Sequence, residues 1–175
     1  AKARGIPVGN TPGFVDGATA DMTFALLMAA ARNIIRGDRY ARSPGFTHYD
    51  ANILHGQEVF GATLGIIGMG GIGRQVARRA AGFDMKVLYH NRTPIPDIAA
   101  GLGARYASLD DLLTQSDFVT LNMPMTPETR HMIGRRELTL MKPTAILVNV
   151  ARGGVLDHDA LVEALQNSGI WGAAL

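Results

Sequence analysis

Two features of this chain could do chemistry together: a tight run of glycines, and two arginines that each follow an apolar run. The glycines are Gly68-Met69-Gly70-Gly71-Ile72-Gly73, spaced G-x-G-x-x-G. In that spacing each glycine has its own task. Gly68 lets the chain turn sharply, Gly70 lets backbone approach a pyrophosphate without a Cβ in the way, and Gly73 lets a helix pack tightly on a strand. The free N–H groups of the helix's first turn, with the positive end of its dipole, then face the phosphates. The spacing alone is a weak signal, because glycine-rich turns are common. Here the apolar run Thr63–Ile67 precedes it, the amphipathic stretch Arg74–Phe83 follows, and a second apolar run, Lys86-Val87-Leu88-Tyr89, comes next. That order predicts strand, glycine turn, helix and strand, the first half of a dinucleotide-binding unit. Gly68, Met69, Gly70, Gly71, Ile72 and Gly73 are its candidate phosphate cradle.

The second predicted strand ends in His90-Asn91-Arg92-Thr93. A site for NAD(H) usually places a carboxylate about 20 residues beyond the glycines, where it accepts from the ribose 2′-hydroxyl. This chain has none there. A carboxylate would repel a 2′-phosphate, whereas Arg92 would attract one, with Asn91 and Thr93 as neutral donors. The expectation is NADP(H) in preference to NAD(H); the alternative is that Arg92 is a solvated loop residue beside an unselective site. The other arginine, Arg152, follows the apolar run Ala145–Val150 and precedes Gly153-Gly154. A guanidinium there can clamp a small carboxylate by two hydrogen bonds and polarise an adjacent carbonyl, which is what hydride transfer to a 2-oxo acid requires.

These residues need a scaffold. Apolar strands alternating with helices predict an α/β fold, a Rossmann-type doubly wound parallel sheet with helices on both faces. Ligands bind such sheets at the carboxyl ends of the strands. Three loops fall there: Gly68–Gly73, Asn122–Thr129 and Val150–Gly154. Met123, Pro124 and Thr129 from the second, with Val150, Ala151 and Arg152 from the third, complete the candidate cofactor contacts. Asp16 to about Tyr40 reads as one long helix, capped by Asp16 or Thr19, with Met22, Leu26, Ala29 and Ala30 on an apolar face. That face would pack on another domain or subunit, or simply cover the sheet. Shorter helices are expected over Asp97–Leu102, from Ser108 as N-cap, over Gly134–Leu140, and from Asp157 as cap through Leu165. The last strand is expected over Ile170–Leu175.

Composition sets the bounds. The chain has 175 residues, 47% hydrophobic and 18% charged, which suits a globular domain with a real core. A net charge of +2 without a dense basic run gives no nucleic-acid surface. Cysteine is absent, so disulfides, thiol catalysis and cysteine-ligated zinc are excluded. The most apolar stretch, Met22–Ala31, is too short to span a bilayer, and with no signal-peptide pattern at the start the cytoplasm is the default expectation. Both ends read as cuts through a longer protein. Residues 1–15 would be a remnant of a substrate domain or linker, and 16–175 a dinucleotide-binding domain incomplete at its C-terminus.

Thr11-Pro12-Gly13, Ala18-Thr19-Ala20-Asp21, the glycine turn, Pro124-Met125-Thr126-Pro127-Glu128-Thr129 and Val148-Asn149-Val150-Ala151-Arg152-Gly153-Gly154-Val155-Leu156-Asp157 together resemble the D-isomer-specific 2-hydroxyacid dehydrogenases. Within that family the chain is most similar to the NADP-preferring glyoxylate/hydroxypyruvate reductases. The resemblance implies a two-domain enzyme that reduces a small 2-oxo acid to the 2-hydroxy acid. It implies that Arg152 is the substrate arginine of an Arg, Glu, His set, and that the long helix bridges domains and joins a homodimer interface. Three departures stand out. Gly71 occupies a position where the family usually has Arg. Gly17 stands where Asp is usual, with Asp16 one position early. The Glu and the general-acid His of the set would lie downstream of Leu175. His48, His55, His90, His131 and His158 match no motif position for that acid. Competing readings are a phosphoglycerate, formate or phosphite dehydrogenase on the same fold, a corepressor-like binding module, or a nucleotide sensor without chemistry.

Overall fold

The structure is a computed structural model that describes residues 1–50 and 52–175. Its frame is a six-stranded, all-parallel sheet of β1 (Thr63–Ile67), β2 (Lys86–His90), β3 (Ala104–Tyr106), β4 (Phe118–Leu121), β5 (Ile146–Asn149) and β6 (Gly172–Ala174). The spatial order is β3-β2-β1-β4-β5-β6, the doubly wound arrangement expected from the alternating elements, with its switch point between β1 and β4.

Period-two geometry explains why the strands read as continuous apolar runs. Leu64 and Ile66 of β1, Val87 and Tyr89 of β2, and Ile146 and Val148 of β5 are buried on one face. Ile67, Leu88, Val119, Leu121 and Leu147 are buried on the other. Both faces are covered, so alternation with polar residues never appears. The first face packs against α1 (Asp16–Ala31) and α3 (Gly71–Ala80). The second packs against α5 (Leu109–Gln115), α6 (Arg135–Leu140) and α7 (His158–Gln166). Ser108 and Asp157 cap α5 and α7 as expected, accepting from Asp111 N and Ala160 N at 3.1 Å each. The short helix α4 is Pro96–Ala100, starting at the proline that can only begin a helix. The last strand is shorter than expected, Gly172–Ala174.

The long N-terminal helix is corrected. It is two helices, α1 and α2 (Ile34–Ala41), parted at Asn33 with φ 53°. Asn33 tolerates this left-handed conformation, and its Nδ2 donates to the carbonyls of Leu54 (3.2 Å) and His55 (2.9 Å) in the connector. A long-range pair of bonds thus ends the helix where local periodicity would continue it. Val15, not Asp16 or Thr19, is the N-cap. The buried face of α1 is Ala20, Thr23, Phe24, Leu27 and Ala31; Met22 is exposed, and Leu26, Ala29 and Ala30 are partly so. This helix is apolar nearly all round, so spacing could not select the side that meets the sheet. Its start is clamped to α3 by Arg79, whose Nε donates to Asp21 Oδ1 (2.7 Å) and Nη2 to Gly17 O (3.2 Å). Among the described residues no helix is long and apolar enough to cross a membrane.

Gly65 in β1 lets α5 lie directly on the sheet: a Cβ there would stand 2.5 Å from Leu112 Cδ2 and overlap Ser116 Oγ. Ser116 is buried, and its Oγ has no hydrogen-bond partner among the described residues. Gly65→Ala should therefore lower stability by about 1–3 kcal/mol through overpacking. Ser116→Ala, which removes an unsatisfied polar atom, should be neutral or stabilising. Urea unfolding of both variants checks this; a Ser116→Ala loss above about 1 kcal/mol would show that the hydroxyl has a partner in solution.

Candidate functional site

The switch point fixes the site. Gly68 leaves β1 with φ 98°, and a Cβ on it would sit 2.7 Å from Met123 N and 2.9 Å from Asn122 C. Only glycine allows both the positive φ and this approach of two strand ends. The ladder runs on past the strands, with Asn122 N donating to Ile67 O (2.8 Å) and Gly68 N to His90 O (3.0 Å). Gly73 is buried, and a Cβ there would overlap Gly68 O, so the third glycine sets the close seating of α3. Gly70 is the N-cap of α3 and has nothing within 4 Å of the place its Cβ would take. Its exposed backbone and the first-turn N–H groups of α3, unpartnered among the described residues, could receive an anion. Ile72 is half-buried beside it, packed on the core.

Met69 contributes differently. Its side chain is fully buried in the core, and its N–H donates to Asn91 Oδ1 at 2.7 Å. Asn91, at the end of β2, therefore holds the glycine turn with its amide oxygen, which leaves Nδ2 as its donor. Arg92 and Thr93 follow and are exposed. Arg92 makes no ion pair or side-chain hydrogen bond among the described residues.

The loop after β4 is braced by its own threonines. Thr129 Oγ1 accepts from Thr126 N (2.7 Å) and donates to Pro124 O (2.7 Å). Met123 is buried, Pro124 exposed and Thr129 half-buried. Glu128, exposed in this loop, has its carboxyl held below the usual 4.5, first by the Thr126 side chain, then by its own backbone N–H, with a smaller contribution from the charge of Arg92. The ends of β2 and β4 thus bring Arg92 close enough for its charge to reach Glu128.

After β5, Asn149 shapes the turn. Its Oδ1 accepts from Ala151 N (2.9 Å) and its Nδ2 donates to Arg152 O (3.1 Å). Val150 and Ala151 are half-buried, while Arg152 is exposed, its Nη1 donating to Ala151 O (2.8 Å). Gly154 admits the side chain of Met125, whose Sδ a Cβ would overlap, so the loops after β4 and β5 interlock. Every residue predicted for the site lies at the carboxyl edge of four adjacent strands, β2, β1, β4 and β5.

Sequence reasoning missed several participants. Asn149 had a readable signal, an Asx turn two residues ahead of Ala151. Arg74, which reaches back so that Nε meets Met69 O at 3.4 Å, follows the habit of helical side chains to point toward the N-terminus. Asp16, whose carboxylate lies against Gly71, had no local signal, being on another helix. Of the histidines, His90 bonds Ala107 O through Nδ1 (3.1 Å) and stacks on Tyr106, and His158 rests on Gly153. No group of three or more potential metal ligands occurs among the described residues.

Residues 24–175 match the family profile described as D-isomer specific 2-hydroxyacid dehydrogenase, NAD binding domain. A glyoxylate reductase of Thermococcus gammatolerans is 51% identical over 180 residues, which takes in 100% of this chain and 54% of that protein. The crystal structure of TT0316 protein from Thermus thermophilus superposes with a TM-score of 0.92 at 46% identity, over 99% of this chain and 54% of that one. A glyoxylate reductase from Paecilomyes thermophila gives 0.89 at 41% identity, over 100% and 52%. The chain thus spans about half the length of the curated relatives it matches. With the fold, the glycine turn at its switch point and the matched residues in agreement, the chain belongs to the D-isomer specific 2-hydroxyacid dehydrogenase family.

Proposed function

We propose that these residues supply the dinucleotide site and the substrate arginine of an NADP(H)-linked reductase acting on a small 2-oxo acid, glyoxylate or hydroxypyruvate. The carrying observation is Arg152: an exposed guanidinium with no carboxylate partner among the described residues, at a strand end one strand from the switch point, on a turn fixed by Asn149. The relatives named glyoxylate reductase support the substrate class.

The residues fit a dinucleotide. The open backbone at Gly70 and the first-turn N–H groups of Gly71 and Ile72 would hold the pyrophosphate. Arg92, Thr93 and Asn91 Nδ2 would hold a 2′-phosphate, and the loops Met123–Thr129 and Val150–Arg152 would enclose the nicotinamide end. When bound, the nicotinamide supplies the hydride. Arg152 would then orient the substrate carboxylate and place positive charge beside the carbonyl oxygen as negative charge develops there. Asn149 is a positioning residue, acting through the turn that carries Arg152. The proton donor is not assigned to His48, His55, His90, His131 or His158, which match no motif position for it. In this reading residues 1–15 belong to the neighbouring substrate domain or linker, 16–175 form the dinucleotide domain, and the uncovered side of α1 with Met22 joins a homodimer.

Three outcomes test the assignments. Arg152→Ala should lower kcat/KM for the 2-oxo acid at least about 100-fold and weaken dinucleotide Kd by much less; an unchanged kcat/KM would remove Arg152 from the site. Arg92→Asp should lower kcat/KM for NADPH about 10- to 100-fold and spare or improve that for NADH; unchanged discrimination would mean that Arg92 is only solvated. The Glu128 carboxyl, followed by NMR, should titrate below free glutamate and move upward in Thr126→Val and, by less, in Arg92→Asp. Because its folded-state value is depressed, its contribution to stability is present above pH 4.5 and is lost as pH falls below it.

A further inference from the structure

Asp16 and Gly71 are 55 positions apart in sequence yet share one small volume. A Cβ on Gly71 would overlap Asp16 Oδ2 and stand 2.7 Å from Asp16 Cγ. Gly71 is the first residue of α3, immediately beside the open backbone at Gly70. Asp16 is the first residue of α1. Its position is not accidental, because Arg79 of α3 bonds the next residue's carbonyl, Gly17 O, and also Asp21, pinning the start of α1 against α3. No hydrogen bond or ion pair neutralises the Asp16 carboxylate among the described residues. The cation that the contacts place at this turn, Arg74, is directed to Met69 O.

We propose that Asp16 is an electrostatic brake on dinucleotide binding: its carboxylate fills the space that the missing Gly71 side chain leaves at the mouth of α3, and opposes the pyrophosphate that docks there. This rests on the dinucleotide reading given above. The two unusual residues are then one device. Glycine at 71 is the residue that admits the carboxylate, and the carboxylate sits where it meets an arriving anion. The positive end of α3 attracts both negative groups, so the bound pyrophosphate displaces a charge already stabilised there, and binding is weakened by that competition. The brake acts on the part common to NADH and NADPH, so it changes affinity without changing which of the two is preferred. That separates it from Arg92, which acts on the 2′-phosphate alone.

The test is a fluorescence titration of the full-length protein with NADPH and with NADH at low ionic strength. Asp16→Asn, which keeps the shape and removes the charge, should tighten both Kd values by a similar factor, about fivefold for unit charges a few ångströms apart in a solvated site. The gain should shrink in about 0.5 M salt. Gly71→Ala keeps the helix and forces the carboxylate to rotate away, so it should also tighten binding. In the Asp16→Asn background it should add nothing, because a neutral amide is then being moved. If the wild type binds but Asp16→Asn binds equally or more weakly, the brake is overturned and the dinucleotide reading stands. If Gly71→Ala gives the same gain with and without the charge, space rather than charge is responsible, and the brake is overturned. If the wild type binds neither dinucleotide, both readings fall together.

Discussion

The site depends on one backbone contact, the approach of Gly68 to the Asn122–Met123 peptide. Two parallel strands, β1 and β4, leave the sheet side by side and must diverge to opposite faces. Gly68 does this with φ 98° while its Cα lies against Met123 N, a packing that admits no side chain. The same turn sets the start of α3, because Gly73 closes onto Gly68 O. It also exposes Gly70 and frees the first-turn N–H groups. Everything else at the carboxyl edge is hung from this point. Asn91 bonds the turn from β2, and the β4 loop begins where Gly68 touches it. Met125 of that loop packs into the gap at Gly154, so even the turn that carries Arg152 is placed by a chain of contacts that starts at Gly68.

Much of this frame was legible because its physics is local. Strands covered on both faces must be apolar throughout, so Thr63–Ile67, Phe118–Leu121 and Ile146–Asn149 announce themselves. A turn that requires positive φ and close packing has to use glycine, and so Gly68 and Gly73 stand out. Ser108 and Asp157 are caps by chemistry that operates within three residues. The boundaries that went unread have long-range causes. The break between α1 and α2 depends on Asn33 bonding Leu54 and His55 across the connector. Which side of α1 meets the sheet stayed open because an all-round apolar helix has no periodicity to read.

The site divides in the same way. The positions of the glycines, Arg92 and Arg152 followed from strand ends, which the sequence marks clearly. What those residues touch did not follow. Asn91 reads as a donor to a ligand, yet its oxygen is engaged by Met69 N. Thr129 reads as a loop contact, yet its hydroxyl braces Thr126 and Pro124. In both cases a polar side chain first satisfies the backbone of its own turn, which would otherwise leave amide groups unpaired at a buried edge. Side chains of this kind shape a site before they contact anything in it.

That order of demands bears on the charges. Arg79 is paired with Asp21, Arg136 with Asp110 and Glu137, and Arg135 with Glu163, all away from the crevice and all joining one element to another or bracing one. At the crevice the pattern changes. Among the described residues Arg92 and Arg152 have no carboxylate partner, while Glu128 feels the charge of Arg92 and Asp16 lies against Gly71. An ion pair across the crevice would cost a ligand the work of breaking it, and a crevice lined with cations alone would hold a polyanionic ligand too long for turnover. In the proposed reading, unpaired charges of both signs, held apart by strand ends and by the α1–α3 clamp, would combine attraction for capture with opposition that favours release. The spacing of those charges is set by the strand ends and, for Asp16, by the clamp of α1 on α3, so in that reading the balance between binding and release would rest on the same frame that creates the switch point.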